Sequence, residues 1–423
     1  MGSARSVGKA FFPLDEELGL LSERLTPHAH ECLVRLGAWM PFEKAAKELG
    51  FILKMEVSEP TTRRYTETAG AAYVSYQEQE VTQLEQTAPV APQGPPRMFF
   101  SVDGAMVPLV GGEWREVKTL TIGQLEDPVC EDAEWVVHSR EHSYFSRLAN
   151  ASDFQRLALV ETHARGVEQA AVIAAVTDGA EWEQSFLDFH CPHAVRILDF
   201  PHAGEHLTPI GQALWGEASE QTQTWLAEQR HGLKHTGPIP LLAELKQLGQ
   251  QHPDLEALAK HRAYLESRQA HMRYPEYRAQ GLPIGSGAME SGNKVVVEAR
   301  LKGAGMHWAE GHVDPLLGLR NILCSDRWEE AWPQIQGVLH EQQTQQRKTR
   351  YQKRHAKTPE VTLTAPSGSI ASLPPSPAPS LPPPAAPASQ SAFGPSRPAP
   401  NHPWRHSPIG KAIYSPSEHV SKN

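Results

Sequence analysis

Val172-Ile173-Ala174-Ala175-Val176-Thr177-Asp178-Gly179 is the stretch on which the fold turns. An apolar run that closes on a carboxylate and a glycine is the pattern of a buried strand delivering an aspartate to its end. Upstream, Met98-Phe99-Phe100-Ser101-Val102-Asp103-Gly104 has the same grammar. Two strands that each bring an aspartate to a strand end suggest a metal site. Taken singly, either Asp-Gly pair also reads as an ordinary turn.

The segments around these strands complete a layer. Gly111-Gly112 predicts a turn, and Trp114 to Ile122 alternates as a second strand. Glu134 to His138 reads as a third strand. Ser152 to Gly166 reads as a helix capped by Ser152, and Glu181 to Phe189 as a shorter one. Ala194 to Phe200 supplies another strand. Three strands, helix, strand, helix, strand predicts an α/β layer in which an antiparallel hairpin feeds a parallel half. The ribonuclease-H-like fold has this order, with one aspartate on its first strand and another at the end of its fourth. The expected core covers 98–201 and resumes over 283–342 after an all-α insertion, 202–282.

The flanks differ in character. Residues 1–81 are helical and polar. Pro41 opens a helix ending near Gly50, and Ser58 caps a second, basic one carrying Arg63 and Arg64. This pair predicts a helix-turn-helix-like DNA-binding region, although Phe51 to Val57 is a long connector for that motif. An ordinary helical hairpin is the alternative. Residues 82–97 read as a linker rich in Gln, Thr, Ala and Pro. Arg347, Lys348, Arg350, Lys353, Arg354 and Lys357 make 343–357 a basic segment. Pro, Ser and Ala dominate 358–423, a composition that cannot bury a core and predicts a disordered tail.

Bulk composition is permissive. A chain of 423 residues is long enough for more than one domain. Four cysteines without a CxxC pair argue against a disulfide framework or zinc ribbon and fit a reducing, cytoplasmic setting. The charged N-terminus lacks a secretory apolar region, and no apolar run approaches the roughly 18–20 residues of a membrane span. A net charge of −9 does not advertise nucleic acid, but local basic patches bind phosphate whatever the total.

Asp103 and Asp178 need a third partner. Glu290 follows the glycine-rich turn Leu282-Pro283-Ile284-Gly285-Ser286-Gly287, in the first turn of a helix from which it can point back at a sheet edge. Alone, it also reads as a helix-start acid favoured by the dipole. Three carboxylates suit Mg²⁺ or Mn²⁺, hard cations that take oxygen ligands. His190, Cys191, His193, His202 and His206 raise the question of zinc, but their spacing fits no structural zinc pattern.

Several of these segments together resemble a known family. Gly281 to Ser291, continued by Arg300-Leu301-Lys302-Gly303-Ala304-Gly305-Met306-His307-Trp308, is the most specific part. Leu316 to Asn321, Arg327 to Trp332, Ser101 to Gly104 with Glu116-Val117-Lys118, Thr177 to Trp182 and Leu198 to Leu207 also match. The chain is similar to bacterial insertion-sequence transposases of the Kra type, in the Mutator-like group of DDE transposases. The resemblance implies a ribonuclease-H-like core with its acidic triad at Asp103, Asp178 and Glu290. It places an Asp-x-x-His element at Asp199 and His202, the aspartate supporting and the histidine touching phosphate or moving a proton. A helix cap and a half-exposed histidine are the plain alternatives.

The function implied is cutting and joining of double-stranded DNA, at terminal inverted repeats and target sites, by two-metal phosphoryl transfer. A homo-oligomer assembled on DNA is expected, because two element ends must be paired; the protein would be cytoplasmic and nucleoid-associated, with no membrane partner. Arg63, Arg64, Arg300, Lys302 and His307 are candidate DNA contacts. Trp182 and Trp308 read as packing residues, with base stacking the sharper alternative for both and Trp308 the candidate DNA contact. A nuclease without strand transfer, or an inactive DNA-binding derivative, are the other functions such a chain can have.

Overall fold

The sheet is built outward from β1 (Arg97–Pro108). The computed structural model describes residues 25–131, 134–217 and 219–355, all within one contact unit, Met1–Thr358. The proline-rich tail expected over 358–423 lies outside the described residues, as do residues 1–24 of the N-terminal region. β2 (Trp114–Leu125) and β5 (Ser139–Arg147) extend the sheet antiparallel on one side of β1. β6 (Val172–Thr177) and β7 (Val195–Leu198) extend it parallel on the other. The resulting five-stranded order is β5-β2-β1-β6-β7.

Register places the aspartates. β1 and β6 pair in parallel from Arg97↔Val172 to Phe100↔Ala175. Ser101 Oγ carries the pairing onward by donating to the Val176 carbonyl at 2.6 Å. Continued along both strands, that register sets Asp178 level with Asp103, on the same side of the pleat. Alternation also divides the core. Met98, Phe100 and Ile173 face a layer made by α4 (Ala151–Leu157), α5 (Leu159–Ala164) and α6 (Glu181–His190). Phe99, Ala174 and Val176 face the helical insertion. Each fully buried phenylalanine contributes about 1.5–3 kcal/mol, so the strand order is held from both faces.

The insertion comprises α7 (Phe200–Glu205), α8 (Leu207–Trp215), α9 (Glu220–His235), α10 (Pro238–Gln251), α11 (Glu256–Ser267) and α12 (Tyr274–Ala279). After it comes α13 (Gly287–Gly292), a π-helical stretch Asn293–Glu298 and α14 (Ala299–Leu301). The sequence predicts one regular helix there. The π-turn frees carbonyls from ordinary helical pairing. The Arg320 guanidinium takes two of them, donating to Val295 and Val296. Arg320 comes from α15 (Val313–Cys324), which precedes the last helix, α16 (Trp328–His355).

Other expectations need correction. Asp103 is not at a strand end: β1 runs on to Pro108 and turns at Gly111 and Gly112, whose φ values are +101° and +87°. The third sheet strand is β5, not 134–138. Glu134–Val136 is β4, paired in a separate small hairpin with β3 (Val129–Glu131). β5 is an edge strand, and its polar residues hid it. Asn150, not Ser152, caps α4, its Oδ1 accepting from the Asp153 N–H at 2.9 Å. The expected linker 82–97 is shortened, because α3 (Glu59–Thr87) continues to Thr87.

The N-terminal helices do not stand apart as a 1–81 domain. α1 (Pro27–Trp39), α2 (Phe42–Leu53) and α3 share one apolar core with α15 and α16, through Leu33, Leu49, Ala69, Leu319 and Trp332. The crossing is close: a Cβ on Gly70 of α3 would lie 1.9 Å from the Pro315 carbonyl oxygen. Within the basic run, Arg347, Lys348, Arg350 and Lys353 ride on α16.

Candidate metal centre

Three carboxylates converge where β1 and β6 lie side by side: Asp103, Asp178 and Glu183, with a ligand oxygen of each within 4.8 Å of the others. Asp103 is half-buried in mid-strand. Its Oδ1 accepts from the Gly104 N–H at 2.6 Å and its Oδ2 from Asn293 Nδ2 at 2.8 Å. Asp178 follows the last residue of β6, and its Oδ1 accepts from the Ala180 N–H at 3.2 Å. Gly179 has φ +82°, a conformation that a side chain would strain, and it turns the chain into α6.

Glu183 is the residue the sequence reading missed. It is only 1% exposed and occupies the third position of α6. One oxygen, Oε2, accepts from both the Gly179 and Ala180 N–H groups at 3.0 Å. This is the glutamate half of a capping box, and the signal was present in the sequence as a glutamate three residues after the helix start. A glutamate folded back over its own helix N-terminus after Asp-Gly must lie near that aspartate.

The electrostatics follow from crowding. For unit charges at 4.8 Å the repulsion is about 1–4 kcal/mol across water-like to protein-surface dielectrics. Three anions there are therefore relieved by a proton or a cation. Burial is the largest influence on Glu183, and a proton shared with Asp178 adds to it, so its carboxyl is pushed up to about 10. Asp103 is also raised, first by burial and then by the Asp178 and Glu116 charges, against the pull of its two N–H donors. An all-oxygen donor set suits a hard divalent cation. Asn293 Oδ1, the other end of the amide that touches Asp103, is buried without a hydrogen-bond partner. Both observations fit a resident cation.

β2 carries a cation on the other face of the sheet from Asp103. Lys118 faces Gly104 across the ladder, pairs with Glu116, and lies 5.1 Å from the centre of the Trp182 ring. A Cβ at Gly104 would meet Glu116 Oε1 at 2.3 Å, so glycine lets that carboxylate cross β1. Trp182 packs edge-on to Phe154 at 6.1 Å, as a packing residue does.

Glu290 is not brought into this group. It stands in the first turn of α13 with its side chain 68% exposed, and its Oε1 accepts from Lys294 Nζ at 2.6 Å. The lysine one turn downstream captures it. Asp199 caps α7: one oxygen accepts from the His202 N–H at 2.9 Å and the other from the Ser286 N–H at 2.6 Å. It thereby ties the end of β7 to the glycine turn before α13. His202 is half-buried, 5.1 Å from the His206 ring and 6.0 Å from that of Tyr264.

The expected DNA contacts divide. Arg300 is 1% exposed; two of its N–H groups hold the Gly37 carbonyl at 3.1 Å, and it lies against the Phe42 and Trp308 rings. It is a strut between α14 and α1, unavailable to phosphate. Trp308 is buried and donates from Nε1 to the Leu301 carbonyl at 3.0 Å, which removes it from base stacking. Lys302 pairs with Glu298 at 2.7 Å. Arg63 and the exposed His307 line one groove with Glu59 and Glu67. Arg64 is exposed on α3, over the Tyr65 ring. The histidines that raised the question of zinc are placed as follows. His190 is buried, donates to the Gln155 carbonyl at 2.9 Å and touches Thr162 at 3.2 Å. Among the described residues the histidines join no metal-holding group. No protein-family model matches this sequence, and no curated protein matches it.

Proposed function

We propose that this chain is a metal-dependent phosphoryl-transfer enzyme acting on double-stranded DNA, a DDE transposase of an insertion sequence built on a ribonuclease-H-like core. The observation that carries the reading is the placement of Asp103 and Asp178 side by side on the parallel strands β1 and β6 of a β5-β2-β1-β6-β7 sheet. Asp103, Asp178 and Glu183 would hold Mg²⁺ or Mn²⁺, which when bound activates a water or 3′-hydroxyl and stabilises the leaving oxygen. Glu183 replaces Glu290 as the third donor in this assignment.

The chain's own groups prepare the site. Asn293 and the Gly104 N–H fix the two oxygens of Asp103. The Gly179 and Ala180 N–H groups fix Glu183. Among the described residues no helix is long and apolar enough to cross a membrane. Pairing two DNA ends requires at least two copies of the chain, which light scattering of a purified end complex measures.

The test is cleavage of labelled element-end DNA in Mn²⁺ by wild type and Asp178→Asn. The variant keeps shape and loses charge. Cleavage by wild type alone, with DNA binding intact in both, is the expected result, and joined products identify strand transfer. Cleavage without joining points to a nuclease. Equal cleavage by both proteins overturns the assignment.

A further inference from the structure

Beyond the strand end at Thr177, the carbonyls of Asp178 and Gly179 have left the sheet ladder. Side chains from the helical insertion take them instead. Tyr264, on α11, donates its hydroxyl to the Asp178 carbonyl. Arg268, at the end of α11, donates to the Gly179 carbonyl from Nε at 3.1 Å and Nη2 at 2.7 Å. The two side chains brace each other, the guanidinium lying 3.8 Å from the Tyr264 ring centre. His206 stacks on the same ring at 3.7 Å and 6°, and its Nδ1 lies 2.9 Å from that of His261. Glycine at 179 makes the approach possible: a Cβ there would sit 2.7 Å from Arg268 Nε.

Each carbonyl belongs to a peptide unit whose N–H points the other way. The Asp178 carbonyl shares its peptide with the Gly179 N–H, and the Gly179 carbonyl with the Ala180 N–H. Those two N–H groups are the ones that Glu183 Oε2 accepts, and the second also reaches Asp178 Oδ1. Both peptides are therefore hydrogen-bonded at both ends, and bonds in such chains polarise one another. We propose that Tyr264 and Arg268 are positioning residues, which hold the Asp178 and Glu183 carboxylates through these two peptide units and so couple the helical insertion to the metal centre. The inference rests on reading Asp178 and Glu183 as metal ligands.

The experiment uses the full chain with Tyr264→Phe, which keeps the ring stack and removes the hydroxyl, and Arg268→Lys. Tyr277→Phe is the control; its hydroxyl donates to carbonyls of Ala270 and Arg196, away from the turn. Two quantities are read: hydrogen exchange of the peptide spanning 177–184 without metal, and Mn²⁺ affinity by calorimetry. Tyr264→Phe is expected to speed the exchange and weaken Mn²⁺ binding about 3–10-fold, the share of one hydrogen bond, while Tyr277→Phe does neither. Arg268→Lys should move both quantities in the same direction. Unchanged exchange in Tyr264→Phe overturns the clamp. Faster exchange with unchanged Mn²⁺ affinity overturns the positioning role. Absence of Mn²⁺ binding by wild type overturns the metal reading, while the metal-free exchange result decides separately whether Tyr264 and Arg268 clamp the turn.

Discussion

Asn293 Nδ2 lies 2.8 Å from Asp103 Oδ2 and joins the start of the π-helical stretch to the middle of β1, 190 residues earlier in the chain. The contact explains why the helix after the glycine turn belongs to the site although its glutamate does not. Asn293 and Glu290 are one turn apart. The amide reaches the aspartate; the carboxylate is drawn outward to Lys294.

The third donor is testable directly. Glu183→Gln is expected to weaken Mn²⁺ binding by at least about tenfold, in the range for residues that hold or orient a metal. Glu290→Gln should leave the affinity within about twofold. Calorimetric titration of both variants checks this. The reverse ranking would mean that Glu290 leaves Lys294 and turns inward on metal binding.

Stability of the metal-free protein should report the raised Glu183 carboxyl. Burial pushes this carboxyl up to about 10, well above the ordinary glutamate range. The associated stability is present below the unfolded value and is lost progressively as pH rises toward 10. Glutamine mimics the protonated acid and has no such loss. The Tm of Glu183→Gln relative to wild type should therefore rise between pH 5 and pH 8 in chelator. Saturating Mn²⁺ should reverse the trend for wild type, because binding requires the charged form.

Arg300 and Arg63 should separate folding from DNA contact. Arg300→Ala leaves the Gly37 carbonyl without its donor and opens space between Phe42 and Trp308. A loss of about 3 kcal/mol or more in urea unfolding is expected. Arg63→Ala, at an exposed groove position, should leave the unfolding midpoint unchanged, weaken DNA binding and lower its salt slope by about one. Filter binding across a salt series checks the second part.

The crossing of α3 over α15 gives a packing test of the joint between the N-terminal helices and the rest of the chain. Gly70→Ala places a methyl group against the Pro315 backbone, which cannot retreat without moving α15. A cost of about 2–3 kcal/mol is expected. The transition should stay single, because the N-terminal helices share their core with α15 and α16. Two separate transitions would show an independent N-terminal domain.

Much of the layer is legible in one dimension. Period-2 alternation and glycine turns mark β1, β2, β6 and β7, and the α6 helix between them. β5 escaped because an edge strand buries too little to show a clean apolar pattern. The length of α3 escaped because its polar face hides a helix whose partners, α15 and α16, lie more than two hundred residues away. Arg300 and Trp308 illustrate the same limit at the site. Arg300 looks like an exposed DNA contact in sequence and Trp308 could be either packing or stacking; burial against Gly37 and Phe42 makes the arginine a strut and the tryptophan its packing partner.

The sequence by itself determined that two apolar strands would carry Asp103 and Asp178, because alternation and a closing glycine are local consequences of backbone geometry. It also contained the capping pattern that folds Glu183 back over its helix. Only the tertiary structure decided which carboxylate joins the two aspartates. That choice depends on contacts between side chains and backbone distant in sequence: Asn293 reaches Asp103, and Tyr264 and Arg268 hold the turn that presents Asp178 and Glu183 together. Such contacts are set by packing between elements, and no residue spacing encodes them.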